Sequence, residues 1–171
     1  MKPNTMTPAA RHAQEIEDLL GDWWLPKIYR DRILKSRTRS YQFPPLAKGA
    51  ASEIHHTLLG IELKVGRRRL LCPDLATARY LAIFARVGCG AVAIPYDITK
   101  ISRLADELES SWHRMLLLAD GCASDQSAAF RARICTRLIG KVREEIAAAG
   151  AGTRIPEFKQ STRQVEKPKK T

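Results

Sequence analysis

A chain of 171 residues with 44% hydrophobic and 27% charged residues is long enough to fold around a hydrophobic core, which excludes a wholly disordered protein. Its 29 lysines and arginines against 18 acidic residues give a formal net charge of +11, so the expected partner is a polyanion, nucleic acid first. No apolar run reaches the roughly 18 residues of a membrane span, and the first residues do not form the apolar core of a signal peptide. We therefore expect a cytoplasmic protein without a membrane span.

The first 45 residues are predicted to form a helical arm rich in basic and aromatic residues. Thr7 followed by Pro8 is typical of a helix start, and Gly21 of a helix end. The basic residues that follow are Lys27, Arg30, Arg32, Lys35, Arg37 and Arg39, and the aromatic residues beside them are Trp23, Trp24 and Tyr41. Because cations bind phosphates and aromatic rings stack on unpaired bases, we interpret this segment as a contact surface for RNA or single strands.

Two strands and a helix are predicted in the first part of a core domain that we place at residues 46–150. Apolar and polar residues alternate from 59 to 65, and a turn at Gly66 leads into a second strand, 69–72. Asp74 is the expected N-cap of the helix that follows.

A short apolar strand, 91–94, comes after this helix and completes a predicted βαβ unit. Such units have parallel strands and a right-handed crossover. Apolar spacings of three and four residues then predict a helix that is capped by Asp97 or Thr99 and ends at Gly121, and a last helix over 127–149.

The predicted fold class is α/β (α+β), a small sheet made from a β-hairpin and the βαβ unit and covered by three or more helices. The predicted organisation is an N-terminal helical arm (1–45), a single core domain (46–150) and a disordered basic tail (151–171), whose polar and cationic composition cannot form a core.

Two further groups of cations in the core domain are candidate phosphate contacts. The first lies in the predicted hairpin turn, where side chains project into solvent, and consists of Arg67, Arg68 and Arg69. The second recurs at four-residue spacing along the outer side of the last helix and consists of Arg133, Arg137 and Lys141. Both are predicted to bind phosphates.

Catalytic and metal-binding patterns are weak, and we predict no catalytic residue, metal ligand or cofactor. Asp74 and Asp97 both follow strands of the predicted βαβ unit, where two carboxylates could meet at the edge of a sheet and bind a metal. Each also precedes a helix, where aspartate is a preferred cap. The four cysteines are widely spaced and have apolar or small neighbours, as structural thiols do.

The expected function is therefore non-catalytic binding of nucleic acid, with RNA or single strands favoured, or a basic subunit of a nucleoprotein assembly. One alternative is a metal-dependent enzyme that processes nucleic acid and uses Asp74 and Asp97. Another is an adaptor or assembly subunit that docks on a protein partner through its N-terminal aromatic arm.

Overall fold

A computed structural model describes residues 5–46 and 51–152, which form an α+β structure of four helices, the first of them bent, and two small antiparallel sheets. In chain order the elements are α1 (Pro8–Leu20), a 3-10 turn (Gly21–Trp23), α2 (Leu25–Ile28), a π turn (Tyr29–Ile33), β1 (Thr38–Gln42), β2 (Ser52–Thr57), β3 (Gly60–Val65), β4 (Arg68–Cys72), α3 (Leu75–Val87), β5 (Ala91–Pro95), α4 (Ile98–Gly121) and α5 (Ala128–Ala149).

The predicted helix starts are confirmed by side-chain caps. The Thr7 hydroxyl accepts a hydrogen bond from the backbone of the third residue after it, at 3.3 Å, and the Asp74 carboxylate does the same at 2.7 Å. Ser127 caps α5 in the same manner, and Asp97 caps α4 by accepting from the backbone of the second residue after it. Gly88, at φ +86°, ends α3 in the left-handed conformation that glycine adopts without strain. These boundaries depend on short-range chemistry, which explains why the sequence predicts them.

The N-terminal segment, which the sequence predicts as a helical arm, packs against the core. Residues 8–33 form one bent helix, in which the Leu34 N–H bonds to the Tyr29 carbonyl five residues earlier, at 2.9 Å, and so closes the π turn. Ile16, Tyr29 and Ile33 have no exposed surface, and they belong to the same hydrophobic cluster as the inner sides of α4 and α5. The helix is therefore part of the central packing.

The strands do not form the predicted parallel βαβ unit. β4 precedes α3 in the chain and β5 follows it, but the two strands belong to different sheets. β5 pairs antiparallel with β1, with Thr38 opposite Pro95 and Gln42 opposite Ala91, and we call this pair the ribbon. β2, β3 and β4 form an antiparallel meander. The sequence pattern predicted neither β1 nor β2 as a strand.

Two tyrosines occupy the edge of β5 at which a parallel strand would have to pair. The Ala93 N–H donates to the Tyr29 hydroxyl at 3.0 Å, and the Ala93 carbonyl accepts from the Tyr80 hydroxyl at 2.6 Å. The Tyr29 hydroxyl in turn donates to the Gly150 carbonyl at 2.5 Å. Because buried backbone groups need partners, these hydroxyls complete the edge and leave no bonding groups at Ala93 for a further strand.

The meander covers α3 with one face and exposes the other. Leu63, Val65 and Cys72 face inward and are nearly fully buried, as the alternating pattern predicts. Leu59 is the exception, since it lies in the β2–β3 turn and is 82% exposed.

The chain after α5 returns to the ribbon. Gly152 has φ +77°, and a Cβ added there would lie 2.4 Å from the Thr38 hydroxyl oxygen and 3.0 Å from the Ala93 Cβ. Only glycine fits this approach. The rest of the predicted tail, 153–171, lies outside the described residues.

Within residues 5–46 and 51–152, every helix is too short or too polar to cross a membrane.

Candidate nucleic-acid interface

The cations of the segment 27–39 divide into two that form ion pairs and four that do not. Lys27 binds Asp22 at 2.5 Å, and Arg32 binds Glu107 of α4 at 2.8 Å. The cations with no carboxylate within 4.0 Å, among the residues that the structure describes, are Arg30, Lys35, Arg37 and Arg39. The first three are exposed and Arg39 is half-buried, so most of this predicted surface is accessible.

Residues of α4 extend this surface, and the sequence analysis did not identify them. The Arg37 guanidinium lies 5.1 Å from the centre of the Tyr96 ring, just before α4. Arg103 approaches the same Glu107 oxygen as Arg32, at 3.6 Å. Glu107 therefore links the segment 27–39 to α4. The aromatic ring at this surface is that of Tyr96 and not that of a predicted tryptophan.

The three aromatic residues of the predicted contact surface have different environments. Trp24 is 3% exposed and its indole N–H donates to Glu145 of α5 at 2.5 Å, so it is a core residue that cannot stack on a base without unpacking. Trp23 is half-buried, with the Arg114 guanidinium 4.2 Å from its ring centre. Tyr41 is also half-buried, and burial raises the pKa of its hydroxyl. Only Trp23 and Tyr41 keep some accessible surface.

Arg67, Arg68 and Arg69, which we call the arginine turn, are exposed between β3 and β4, but Arg68 and Arg69 are the first two residues of β4 and not turn residues. Gly66 makes the turn at φ +58°, and its N–H donates to the Ala51 carbonyl at 3.3 Å. Arg67 and Arg68 are exposed and have no carboxylate within 4.0 Å in the described part of the chain. Arg69 lies 3.7 Å from Glu62 across the meander, so part of its charge is compensated.

The basic stripe of α5 is interrupted at its last member. Arg133 and Arg137 are exposed, and they line a shallow cavity of about 700 Å³ beside the start of α1. Lys141 instead forms an ion pair with Glu17 and a 3.1 Å hydrogen bond to Gln14, both on α1. Lys141 stabilises the contact between α1 and α5, whereas Arg133 and Arg137 remain available to a ligand.

Two arginines that the sequence analysis missed meet at one groove. Arg86 of α3 donates through Nε to the Ser52 hydroxyl at 2.8 Å, and Arg143 of α5 donates through Nε to the Val87 carbonyl at 2.9 Å. Both line a groove of about 660 Å³ between 43–46, the end of α3 and α5. No spacing signal joins them, because they come from helices far apart in the chain.

The acidic candidates act as caps. Asp97 accepts hydrogen bonds from the backbone and hydroxyl of Thr99, which lowers the pKa of its carboxyl. Asp74 caps α3. Asp74 and Asp97 follow strands of different sheets, so the prediction that both lie at the edge of one sheet is wrong. The described residues hold no cluster of three or more histidine, cysteine or acidic side chains suited to a metal ion.

Of the thiols, Cys72 and Cys89 are buried. Burial raises the pKa of Cys89 to about 12, so it is protonated at neutral pH and a poor nucleophile.

Comparisons with models of protein families, with curated proteins and with solved structures find no match to this chain. Its function is therefore inferred from its own residues and their geometry.

Proposed function

We propose that this protein binds nucleic acid without catalysing a reaction on it, and that RNA or single strands are its preferred ligands, either alone or within a nucleoprotein assembly. The observation that supports this proposal is a set of exposed cations without an ion-pair partner among the described residues. Among them are the predicted contacts Arg30, Lys35, Arg37, Arg67, Arg68, Arg133 and Arg137. Such cations attract phosphates and release counterions when they bind them.

The arginine turn allows the most specific test of the proposal. Arg67 and Arg68 follow Gly66, in a turn held at both ends by the ladder in which Val65 faces Arg68. A turn held in this manner presents its guanidinium groups at little cost in backbone entropy. An arginine that contacts a phosphate contributes about 0.7 to the slope of log affinity against log salt for a single strand.

The experiment is a salt titration of binding to a fluorescent single-stranded RNA. The double variant Arg67→Ala, Arg68→Ala should lower the magnitude of the slope by about 1.4, with little change in stability because the turn is exposed. The matched control is Lys27→Ala, Arg131→Ala, which removes the same formal charge from cations already paired with Asp22 and Asp120. Equal slopes for wild type and the turn variant would refute this contact.

A second candidate, docking on a protein partner, is supported by a different surface. Leu58 and Leu59 in the β2–β3 turn and Leu71 on β4 are each at least two-thirds exposed, and Leu71 lies beside Gly60 at the base of that turn. Adjacent exposed leucines are typical of interaction surfaces. The two candidates differ in their response to salt, because apolar burial does not weaken as salt rises whereas phosphate binding does. Native pull-downs before and after a high-salt wash therefore distinguish them.

A further inference from the structure

The groove lined by Arg86 and Arg143, which we call the two-arginine groove, combines an apolar wall with two cations. Its wall includes Phe43, Pro44, Leu46 and Ile139, and none of the described residues that line it is acidic. The Phe43 N–H donates to the Gly90 carbonyl at 2.9 Å, which extends the ribbon by one bond and positions this wall. Its volume of about 660 Å³ lies within the range of sites for small organic ligands.

Among the described residues, each of the two guanidinium groups is hydrogen-bonded only through its Nε. Arg86 is anchored to Ser52 and Arg143 to the Val87 carbonyl, and neither has a carboxylate within 4.0 Å in the ranges that the structure describes. Their terminal N–H groups are the donors that bind phosphate oxygens in pairs. Anchoring through Nε leaves these donors available and limits the entropy that is lost when they bind.

Gly88 allows Arg143 to lie across the end of α3. A Cβ at this position would lie 3.3 Å from the Arg143 Nε, and the φ of +86° itself requires glycine. The conformation that ends α3 therefore also makes room for the guanidinium group at the groove.

A hydrogen bond and a strand pair connect Arg86 of the groove to the strand end that carries the arginine turn. Arg86 bonds to Ser52, which lies opposite Val65 in the meander, and Val65 immediately precedes Gly66 and the exposed Arg67. A chain of phosphates that contacts the turn can therefore reach the groove across the end of one strand pair.

We propose that the two-arginine groove binds one unpaired nucleotide of a bound single strand, with the base against the apolar wall and a phosphate on Arg86 and Arg143. This inference rests on the proposed binding of nucleic acid and adds the reason for a preference for single strands. A duplex presents phosphates to the arginines, but its paired bases stay inside the helix and cannot reach the wall.

The test compares the affinity of the full chain for a 12-nucleotide oligouridine and for an RNA duplex of 12 base pairs, by fluorescence anisotropy at low salt. Wild type should bind the single strand about tenfold more tightly or better. The variant Arg86→Gln, Arg143→Gln should bring the two affinities within about twofold of each other. The matched control, Arg133→Gln with Arg137→Gln, removes the same charge from α5 outside the groove and should weaken both ligands equally.

A second variant tests the apolar wall without changing charge. Leu46→Gln should weaken single-strand binding by about tenfold and leave the salt slope unchanged, because an apolar contact releases no counterions. The control Leu117→Gln changes an exposed leucine of α4 and should have no effect. If Arg143→Gln reduces the melting temperature, Arg86→Gln alone serves as the charge variant, because Arg86 is exposed.

The outcomes separate the two proposals. Equal wild-type affinity for single strand and duplex, or a single-strand preference unchanged in the groove variants, overturns the groove and leaves nucleic-acid binding in place. Absence of wild-type binding to either ligand at low salt overturns both.

Discussion

Replacing Tyr29 by phenylalanine should destabilise the protein more than its loss of a single oxygen atom suggests. The hydroxyl accepts the Ala93 N–H at 3.0 Å and donates to the Gly150 carbonyl at 2.5 Å, and the Tyr29 side chain has no exposed surface. Phenylalanine keeps the packing of the ring but leaves the Ala93 N–H buried and unbonded.

An unbonded buried backbone group costs about 1–3 kcal/mol. Gly150 is exposed, so water can replace the hydroxyl at its carbonyl, and most of the cost arises at Ala93. We therefore expect Tyr29→Phe to lower the free energy of unfolding by about 2–3 kcal/mol. Tyr80→Phe removes one bond, to the Ala93 carbonyl, and should cost about 1–2 kcal/mol because carbonyls tolerate loss of a partner better than N–H groups.

Urea unfolding followed by far-ultraviolet circular dichroism measures these differences. With a slope of about 2 kcal/mol per molar urea, Tyr29→Phe should move the midpoint down by roughly 1–1.5 M. The control is Tyr41→Phe, since the Tyr41 hydroxyl has no hydrogen bond within the described residues and its removal should cost under about 0.5 kcal/mol. A Tyr29 variant no less stable than the Tyr41 variant would show that the tyrosine does not hold this strand edge. Hydrogen exchange at the Ala93 amide should rise in Tyr29→Phe and provides an independent measure.

Three further predictions concern a close backbone approach, a buried thiol and two helix caps. Gly152→Ala should cost about 2–4 kcal/mol in urea unfolding, because the new Cβ would lie 2.4 Å from the hydroxyl oxygen at the start of β1 and φ is +77°. Gly21→Ala, at φ +52° with no atom within 4 Å of its Cβ, should cost only about 1 kcal/mol, and equal costs would show that the close approach is unimportant. Because burial raises the pKa of Cys89 from 9.0 to about 12, the unfolded chain ionises first above pH 9, so stability is lost between about pH 9 and 12. Wild type should lose about 1.4 kcal/mol more than Cys89→Ala between pH 8 and pH 10, and parallel losses would contradict the shift. Asp74→Asn and Asp97→Asn should each lower the free energy of unfolding by well under about 1 kcal/mol, since asparagine caps nearly as well as aspartate. Addition of magnesium or manganese should not raise the melting temperature of wild type. Clear stabilisation by metal that is lost in both variants would support the metal-dependent enzyme instead.

Part of the candidate interface could be predicted from the sequence. Arg67 and Arg68 were placed in an exposed turn because alternation on both sides of Gly66 defines a hairpin. The same reasoning does not show that three of the predicted phosphate contacts form ion pairs, namely Lys27, Arg32 and Lys141. Whether a cation is free depends on which carboxylate faces it, and their partners, other than that of Lys27, come from distant elements.

The aromatic residues show the same limit. Trp23 and Trp24 are adjacent in sequence, yet one is half-buried beneath Arg114 and the other is in the core with its indole bonded to Glu145. Composition cannot separate them, because the direction of each side chain depends on the 3-10 turn that precedes α2 and on the position of α5.

Elements whose causes are local can be read from the amino-acid sequence. Thr7, Asp74 and Ser127 cap helices within three residues of themselves, and periodic apolar residues define which side of each helix is buried. Strand pairing depends on long-range partners, so it follows from the packing of the whole fold. The same β5 sequence would suit a parallel sheet, but the hydroxyls of Tyr29 and Tyr80, brought from two helices, satisfy one edge at Ala93 and leave the other to β1. The two-arginine groove arises in the same way, because only the packing of α5 against the end of α3 brings Arg143 to Arg86.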